Sequence, residues 1–375
     1  MVTREKYFDY EEDFHSKSDR KASRKERKII TDKDRSKYKK TDTDQKKKTT
    51  PLDTPMSDDS KKGQVLSISP EGILVMNDGK QWICQLKGAL KQEKNKTKNL
   101  VAVGDFVAFI PKDEQSGTIH FILPRKSILS RADNLSRRKE QLIAVNIDQV
   151  FISCSVVNPS LKPYLVDRYI IAAQKGNMEP IIVINKTDLL SCEDIDPITL
   201  EVEKEIYAAF IKSYTSIGIK VISVSTMTGE GIDKLKECMR NRTSVFSGQS
   251  GVGKSSLINA TTGSSLRTGE IVSKTNKGSH TTTSTHLVPL EDGGFCVDTP
   301  GIKSFGIWDL QKEELTAYYP EFAPYSSSCK FPNCSHMNEP ECAVINAVEN
   351  GEISELRFGS YCALMTSLSE EHRHR

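Results

Sequence analysis

Residues 248–255 read Gly248-Gln249-Ser250-Gly251-Val252-Gly253-Lys254-Ser255, a run that works in one structural context, between the end of a β-strand and the start of an α-helix. Both flanks meet that condition. The apolar stretch 244–247, ending at Ser247, reads as a buried strand, and a helical pattern opens at Ser256. The glycines allow a tight turn in which successive backbone N–H groups point inward and cradle phosphate oxygens. Lys254 is then placed to neutralise the β- and γ-phosphates of a nucleotide, and the Ser255 hydroxyl to complete the shell of its Mg²⁺. The motif commits this part of the chain to an α/β sheet with its ligand at the carboxyl ends of the strands.

A phosphate loop does not choose a base; Asn185-Lys186-Thr187-Asp188, at the end of the apolar run 180–184, can. An aspartate carboxylate accepts hydrogen bonds from the N1–H and 2-amino groups of guanine. Adenine lacks both donors, and sites built on such bonds discriminate by about 10⁴-fold or more. The expected ligand is GTP or GDP. The order is unusual, because Asn185 comes 63 residues before Gly248, whereas most GTPases have the phosphate loop first. A sheet needs its strands adjacent in space rather than in one sequence order, so a circular permutation preserves the site. The other motifs fit that order. Gly278-Ser279-His280-Thr281-Thr282-Thr283 supplies a switch threonine, Thr282, for Mg²⁺ and the γ-phosphate. Asp298-Thr299-Pro300-Gly301, after the strand 295–297, supplies a carboxylate near Mg²⁺ and a glycine N–H near the γ-phosphate. Ser223-Val224-Ser225-Thr226 stands where a backbone amide would touch guanine O6, a weak signal by itself.

A length of 375 residues suggests two or three folded units. Apolar runs at 150–155, 180–184, 220–224, 244–247 and 295–297 read as buried strands of a mainly parallel sheet, with helices at 164–175, 196–213 and 232–240 between them. Before them, five short strand-like runs (64–68, 72–76, 81–86, 105–110, 118–123) predict a small closed barrel, with Asn77-Asp78-Gly79 turning a hairpin. Such barrels often bind RNA, and a plain spacer is the other reading. Five lysines within 87–98 mark an exposed basic loop, and 124–138 reads as a basic connector. Residues 1–50 carry 17 Lys or Arg against 11 Asp or Glu with few large aliphatic side chains, so a tail over 1–62 is expected to stay disordered. Its lysine blocks suit nucleic-acid phosphates, or else it is solvated with no dedicated partner. The boundaries expected are therefore a tail at 1–62, a barrel at 63–127, an α/β domain at 128–309 and a C-terminal domain at 310–375. No apolar run reaches the roughly 20 residues of a spanning helix, and the first residues lack a secretory pattern. A cytoplasmic chain with no membrane partner is expected.

Nine cysteines without secretory context argue for reduced thiols. Cys329, Cys334 and Cys342 crowd together with His336, and three thiolates with one imidazole make the closed tetrahedral set that structural zinc prefers. Pro332 and Asn333 favour a loop there over a helical core holding unrelated thiols. One structural Zn²⁺ per chain is expected, with Cys84, Cys154, Cys192, Cys238, Cys296 and Cys362 left as packing residues.

Taken in order, Asn185–Asp188, Gly248–Ser255, Gly278–Thr283, Asp298–Gly301 and the Cys329–Cys342 cluster resemble the bacterial circularly permuted GTPase family that depends on the small ribosomal subunit. The similarity spans about 63–370. It implies an OB-type barrel, a permuted GTPase domain and a small, mostly helical zinc domain. It also implies a monomer that acts on 16S rRNA in late maturation of the 30S subunit, with hydrolysis stimulated by that subunit. Many GTPases orient the attacking water with a glutamine after the last motif glycine; here that position is Ile302. His280 is the candidate to serve instead, as the family's suspected catalytic histidine and as an imidazole able to orient water; contact with RNA or structural packing is its other reading. Two functions fit the chain: a GTPase whose turnover ejects it from the 30S particle, and a GTP-switched RNA-binding placement factor with incidental hydrolysis.

Overall fold

In the computed structural model of the protein, the described residues are 59–87, 100–133, 136–262, 285–298 and 310–373. The expected tail through residue 58 and most of the basic loop lie outside them. The period-two pattern after the tail becomes strands β1 (Lys61–Ser69), β2 (Gly72–Asn77), β3 (Lys80–Leu86), β4 (Phe106–Pro111) and β5 (Ser116–Ile122). They pair in the order β1-β2-β3-β5-β4, and β4 pairs back to β1, which closes a five-stranded barrel. Asp78 at φ 47° and Gly79 at φ 75° supply the two positive dihedrals of the β2–β3 hairpin. Alternate residues (Val65, Val75, Trp82, Phe109, Ile119) point into the barrel core, where the Trp82 and Phe109 rings lie 5.3 Å apart. Lys61 and Lys62, expected in the tail, open β1 instead and pair with Phe109 and Ala108.

A second departure is the connector. Residues 124–138 were expected to be a basic link, yet β6 (Ile128–Asp133) and β7 (Ser136–Val145) form an antiparallel hairpin. Its charged composition hid it, and the burial of Leu129, Leu142, Ala144 and Val145 explains it.

The next strands are β8 (Gln149–Ser155), β9 (Glu179–Asn185), β10 (Lys220–Ser223), β11 (Arg242–Gly248), β12 (His286–Pro289) and β13 (Gly294–Asp298). They lie in the order β10-β9-β8-β11-β13-β12, parallel except at β12. Helices α1 (Pro163–Lys175), α2 (Pro197–Ser216), α3 (Ile232–Met239) and α4 (Lys254–Thr262) cover this sheet. Tyr169, Ile170, Phe210 and Tyr214 pack in one core, and Leu235, Met239 and Leu257 in another, as a parallel sheet requires. The barrel is joined to this sheet through Ser67 of β1, paired with His286 of β12, and through Leu66, which belongs to the same core as Tyr169.

After residue 310 the chain is mostly short helical turns, followed by α5 (Ala343–Glu349) and α6 (Glu355–Arg373). Their core contains Leu315, Tyr319, Phe322, Val344, Tyr361 and Leu364, and it takes in Ile171 of α1. The C-terminal residues thus close on a core of their own that also packs onto α1 of the α/β domain.

One buried ion pair fixes the exit of the barrel. Asp105, fully buried, receives Arg125 Nε at 2.7 Å and Nη2 at 2.8 Å, and accepts the Ala102 amide at 2.8 Å. Removing the carboxylate strands a part-buried guanidinium and an amide, so Asp105→Ala is expected to destabilise the fold by about 3 kcal/mol. Urea unfolding monitored by Trp fluorescence checks this; a midpoint equal to wild type would contradict it.

Candidate functional site

The carboxyl ends of β8, β9, β11 and β13 share one edge of the sheet, and the sequence motifs emerge there. β11 ends at Gly248, β9 at Asn185 and β13 at Asp298, with β8 between β9 and β11. The phosphate loop leaves β11 flush against β8. Gly248 has φ 138°, and a Cβ there would stand 2.0 Å from the Ser153 carbonyl oxygen, so only glycine fits. Ser247 is buried, Ser250 and Gly251 are exposed, and Ser255 and Ser256 lie exposed in the first turn of α4. Lys254 Nζ donates to the carbonyls of Gly248 at 2.8 Å and Gln249 at 2.6 Å, which holds the ammonium at the mouth of the loop. Burial pushes its pKa down, and an anion held there would oppose that shift by favouring the charged form.

Asn185 links the base motif to the phosphate loop. Its Nδ2 donates to the Val252 carbonyl at 2.9 Å, and its Oδ1 accepts the Thr226 amide at 3.3 Å. Gly253, at φ 90°, passes so close that a Cβ would stand 2.4 Å from Asn185 Nδ2. Lys186 adopts φ 63° and donates through Nζ to the Asn158 carbonyl, and the Thr187 amide donates to the Val224 carbonyl at 3.3 Å. Asp188 Oδ1 accepts Ser225 Oγ at 2.5 Å. Ser225 Oγ in turn accepts the amides of Met227 at 3.2 Å and Thr228 at 3.1 Å, so this fully buried hydroxyl aims the Asp188 carboxylate. Ser225 carries only a weak sequence signal, because a serine and a threonine in so short a string are common. Asn158 carried no signal at all, since it contributes only a carbonyl.

Asp298 ends β13 opposite His286 of β12. Burial raises its pKa, and the His286 charge opposes that rise. His280, Thr282, Gly301 and Ile302 lie outside the described residues.

The second site is the cysteine cluster. One ligand atom each from Cys329, Cys334, His336 and Cys342 falls within 4.8 Å of the others. His336 Nδ1 is 3.6 Å from Cys329 Sγ and 3.4 Å from Cys342 Sγ, and the two sulfurs are 3.9 Å apart. A φ of 57° turns His336 inward, and its Nε2 stands 3.5 Å from Ser326 Oγ, the outer partner that orients a ligating imidazole. Four donors with no acid among them match a closed, soft-ligand metal site.

Comparison with known proteins agrees with this geometry. The RsgA GTPase family matches residues 122–308. The small ribosomal subunit biogenesis GTPase RsgA of Chlorobaculum parvum is 41% identical over 307 residues, covering 80% of this chain and 94% of that protein. The protein of the same name from Flavobacterium johnsoniae is 39% identical over 295 residues, covering 77% and 88%. The crystal structure of YjeQ from Thermotoga maritima superposes with a TM-score of 0.64 at 32% identity, covering 82% of this chain and 98% of that one. YloQ, a circularly permuted GTPase, gives 0.63 at 27%, covering 83% and 96%.

The donor set generates a direct test. Purified protein is expected to hold one metal ion per chain, and Cys334→Ser to lower its metal affinity by about 10-fold or more by removing one of four ligands. Elemental analysis checks both; a metal-free wild-type protein would contradict the assignment.

Proposed function

The chain belongs to the RsgA GTPase family, and from that premise we propose that it acts on the small ribosomal subunit, contacts 16S rRNA late in maturation, and departs when the subunit stimulates GTP hydrolysis. The observation that carries this reading is the convergence at one sheet edge of Asn185–Asp188 and Gly248–Ser255, despite their inverted order in the chain.

In this reading the backbone N–H groups of Gly248, Gln249, Ser250, Gly251, Val252 and Gly253 surround the β-phosphate, flanked by Ser247 and Ser256. Lys254 neutralises the β- and γ-phosphates. Ser255 and Thr282 are the residues that would hold Mg²⁺, with Asp298 beside it and the Gly301 N–H toward the γ-phosphate. When bound, that ion offsets charge developing on the transferred phosphoryl group. Asp188, aimed by Ser225, accepts the N1–H and 2-amino hydrogens of guanine; Lys186 and Thr187 complete the motif. His280 orients the attacking water, because Ile302 has no group to do so. The Cys329–Cys334–His336–Cys342 set takes one structural Zn²⁺ and shapes the RNA-facing end of a monomeric protein.

Asp188→Asn is expected to weaken GTP binding by at least about 100-fold and to shift preference toward xanthosine triphosphate, whose 2-carbonyl can accept from the new amide. Nucleotide titrations with both triphosphates check this, and unchanged GTP affinity would remove Asp188 from the base site. His280→Ala is expected to keep GTP affinity within about twofold while slowing subunit-stimulated turnover about 100-fold, the signature of a group that acts only in the transition state. Single-turnover hydrolysis at wild-type rate would take His280 out of catalysis. Slow turnover with normal departure from 30S particles would favour the placement-factor reading.

A further inference from the structure

Helix α1 has two buried faces, and they belong to different parts of the molecule. Val166, Tyr169 and Ile170 pack in the core beneath the sheet, whereas Ile171 packs in the C-terminal core. On the C-terminal side the helix also carries Asp167, a fully buried carboxylate. Asp167 Oδ1 accepts from Arg357 Nη1 of α6, and Oδ2 accepts Tyr319 Oη at 3.2 Å. Arg357 is only 2% exposed. Its Nε donates to Glu321 Oε1 at 2.7 Å, and its guanidinium carbon lies 4.2 Å from the ring centroid of Tyr319 and 5.4 Å from that of Tyr214 on α2. One guanidinium therefore fixes α1, α2 and the C-terminal core in a single arrangement. Buried pairs of this kind contribute little net stability, because desolvation offsets their attraction, but they tolerate almost no displacement.

The lead-in to the same helix forms one wall of the nucleotide site. Ser155 Oγ donates to the Pro159 carbonyl at 2.7 Å, and the Val156 amide donates to the Asn185 carbonyl at 3.2 Å. The Asn158 carbonyl receives Lys186 Nζ, and Pro159 Cδ lies 3.7 Å from the Cβ position of Gly251. Leu165, Val166 and Tyr169 line a cleft shared with Gln249. The base motif and the phosphate loop thus both lean on the segment that leads directly into α1, and the first turns of α1 line the cleft they share with Gln249.

We propose that Arg357 is a positioning residue for the nucleotide site: through Asp167 it fixes α1, and so makes nucleotide retention sensitive to the C-terminal domain. This rests on the reading of that site as the guanine-nucleotide site. It supplies a connection from the cysteine-cluster domain to Lys186 and Gly251 that does not run through the switch segments.

The experiment uses the full chain and a fluorescent mant-GDP probe, with release followed by stopped flow. Arg357→Met and Asp167→Asn are each expected to speed mant-GDP release by about 2- to 30-fold, the range of coupling changes for residues that touch neither ligand. Their combination is expected to be less than the product of the two, because both break the same pair. Val344→Ala serves as the comparison: it opens a cavity in the C-terminal core, where Val344 is fully buried, and removes none of the groups that bond Arg357 or Asp167. It is expected to lower Tm and leave release at the wild-type rate. Arg357→Lys keeps the charge but loses the planar fork, so it provides a milder variant with an intermediate rate should Arg357→Met fail to fold. Wild-type release rates in all clamp variants would overturn the proposal alone. So would a Val344→Ala protein that releases as fast as Arg357→Met at equal loss of Tm. Failure of the wild-type chain to bind mant-GDP would instead overturn the nucleotide-site assignment, and the proposal with it.

Discussion

The carboxamide of Asn185 holds the nucleotide site together. Its nitrogen bonds the Val252 carbonyl in the phosphate loop, and its oxygen bonds the Thr226 amide in the loop after β10. Three segments that are far apart in the chain become one rigid unit through a side chain only 1% exposed. The close passage of Gly253 over the same amide leaves no room for a side chain. Because the first bond is buried, the second is part-buried and both partners are backbone, losing the amide would leave a carbonyl and an N–H without their partner together. Asn185 therefore acts as a cross-link, and the neighbouring Asp188 carboxylate is aimed by the Ser225 hydroxyl.

That cross-link also explains why the inverted motif order is harmless. β9 and β11 are separated in the sheet by β8 alone, and all three run parallel. The site depends on which strand ends meet at the edge, and the connections can be cut and rejoined elsewhere. The cost of the arrangement is that domains attach at both ends of the permuted unit. The barrel joins through β1 and β12, and the C-terminal core takes a residue from α1.

How much of this was legible in the sequence follows from how local each signal is. The phosphate loop and the base motif are contiguous strings with strict chemistry, so their residues could be named directly. The barrel was legible because alternation and the Asp78–Gly79 turn are short-range. The Cys329–Cys342 cluster was legible from donor identity, and the structure brings all four ligand atoms together. The β6–β7 hairpin was missed because Arg137, Arg138, Lys139 and Glu140 mask its strand pattern, and the burial of Leu142 and Val145 that stabilises it is a long-range fact. Asn158 was invisible for a related reason, since a backbone carbonyl has no sequence signature. The Asp167–Arg357 pair joins residues 190 positions apart, and no pattern in either helix announces it.

The central claim is that this site hydrolyses GTP in response to the small ribosomal subunit. Its most direct test is the rate of GTP turnover by the full chain, measured with and without purified 30S particles at fixed salt. The account predicts slow turnover alone, consistent with Ile302 beside the last motif glycine, and an increase of about 100-fold or more when 30S particles are added. Equal rates with and without the subunit, or stimulation by free 50S subunits to the same extent, would contradict it.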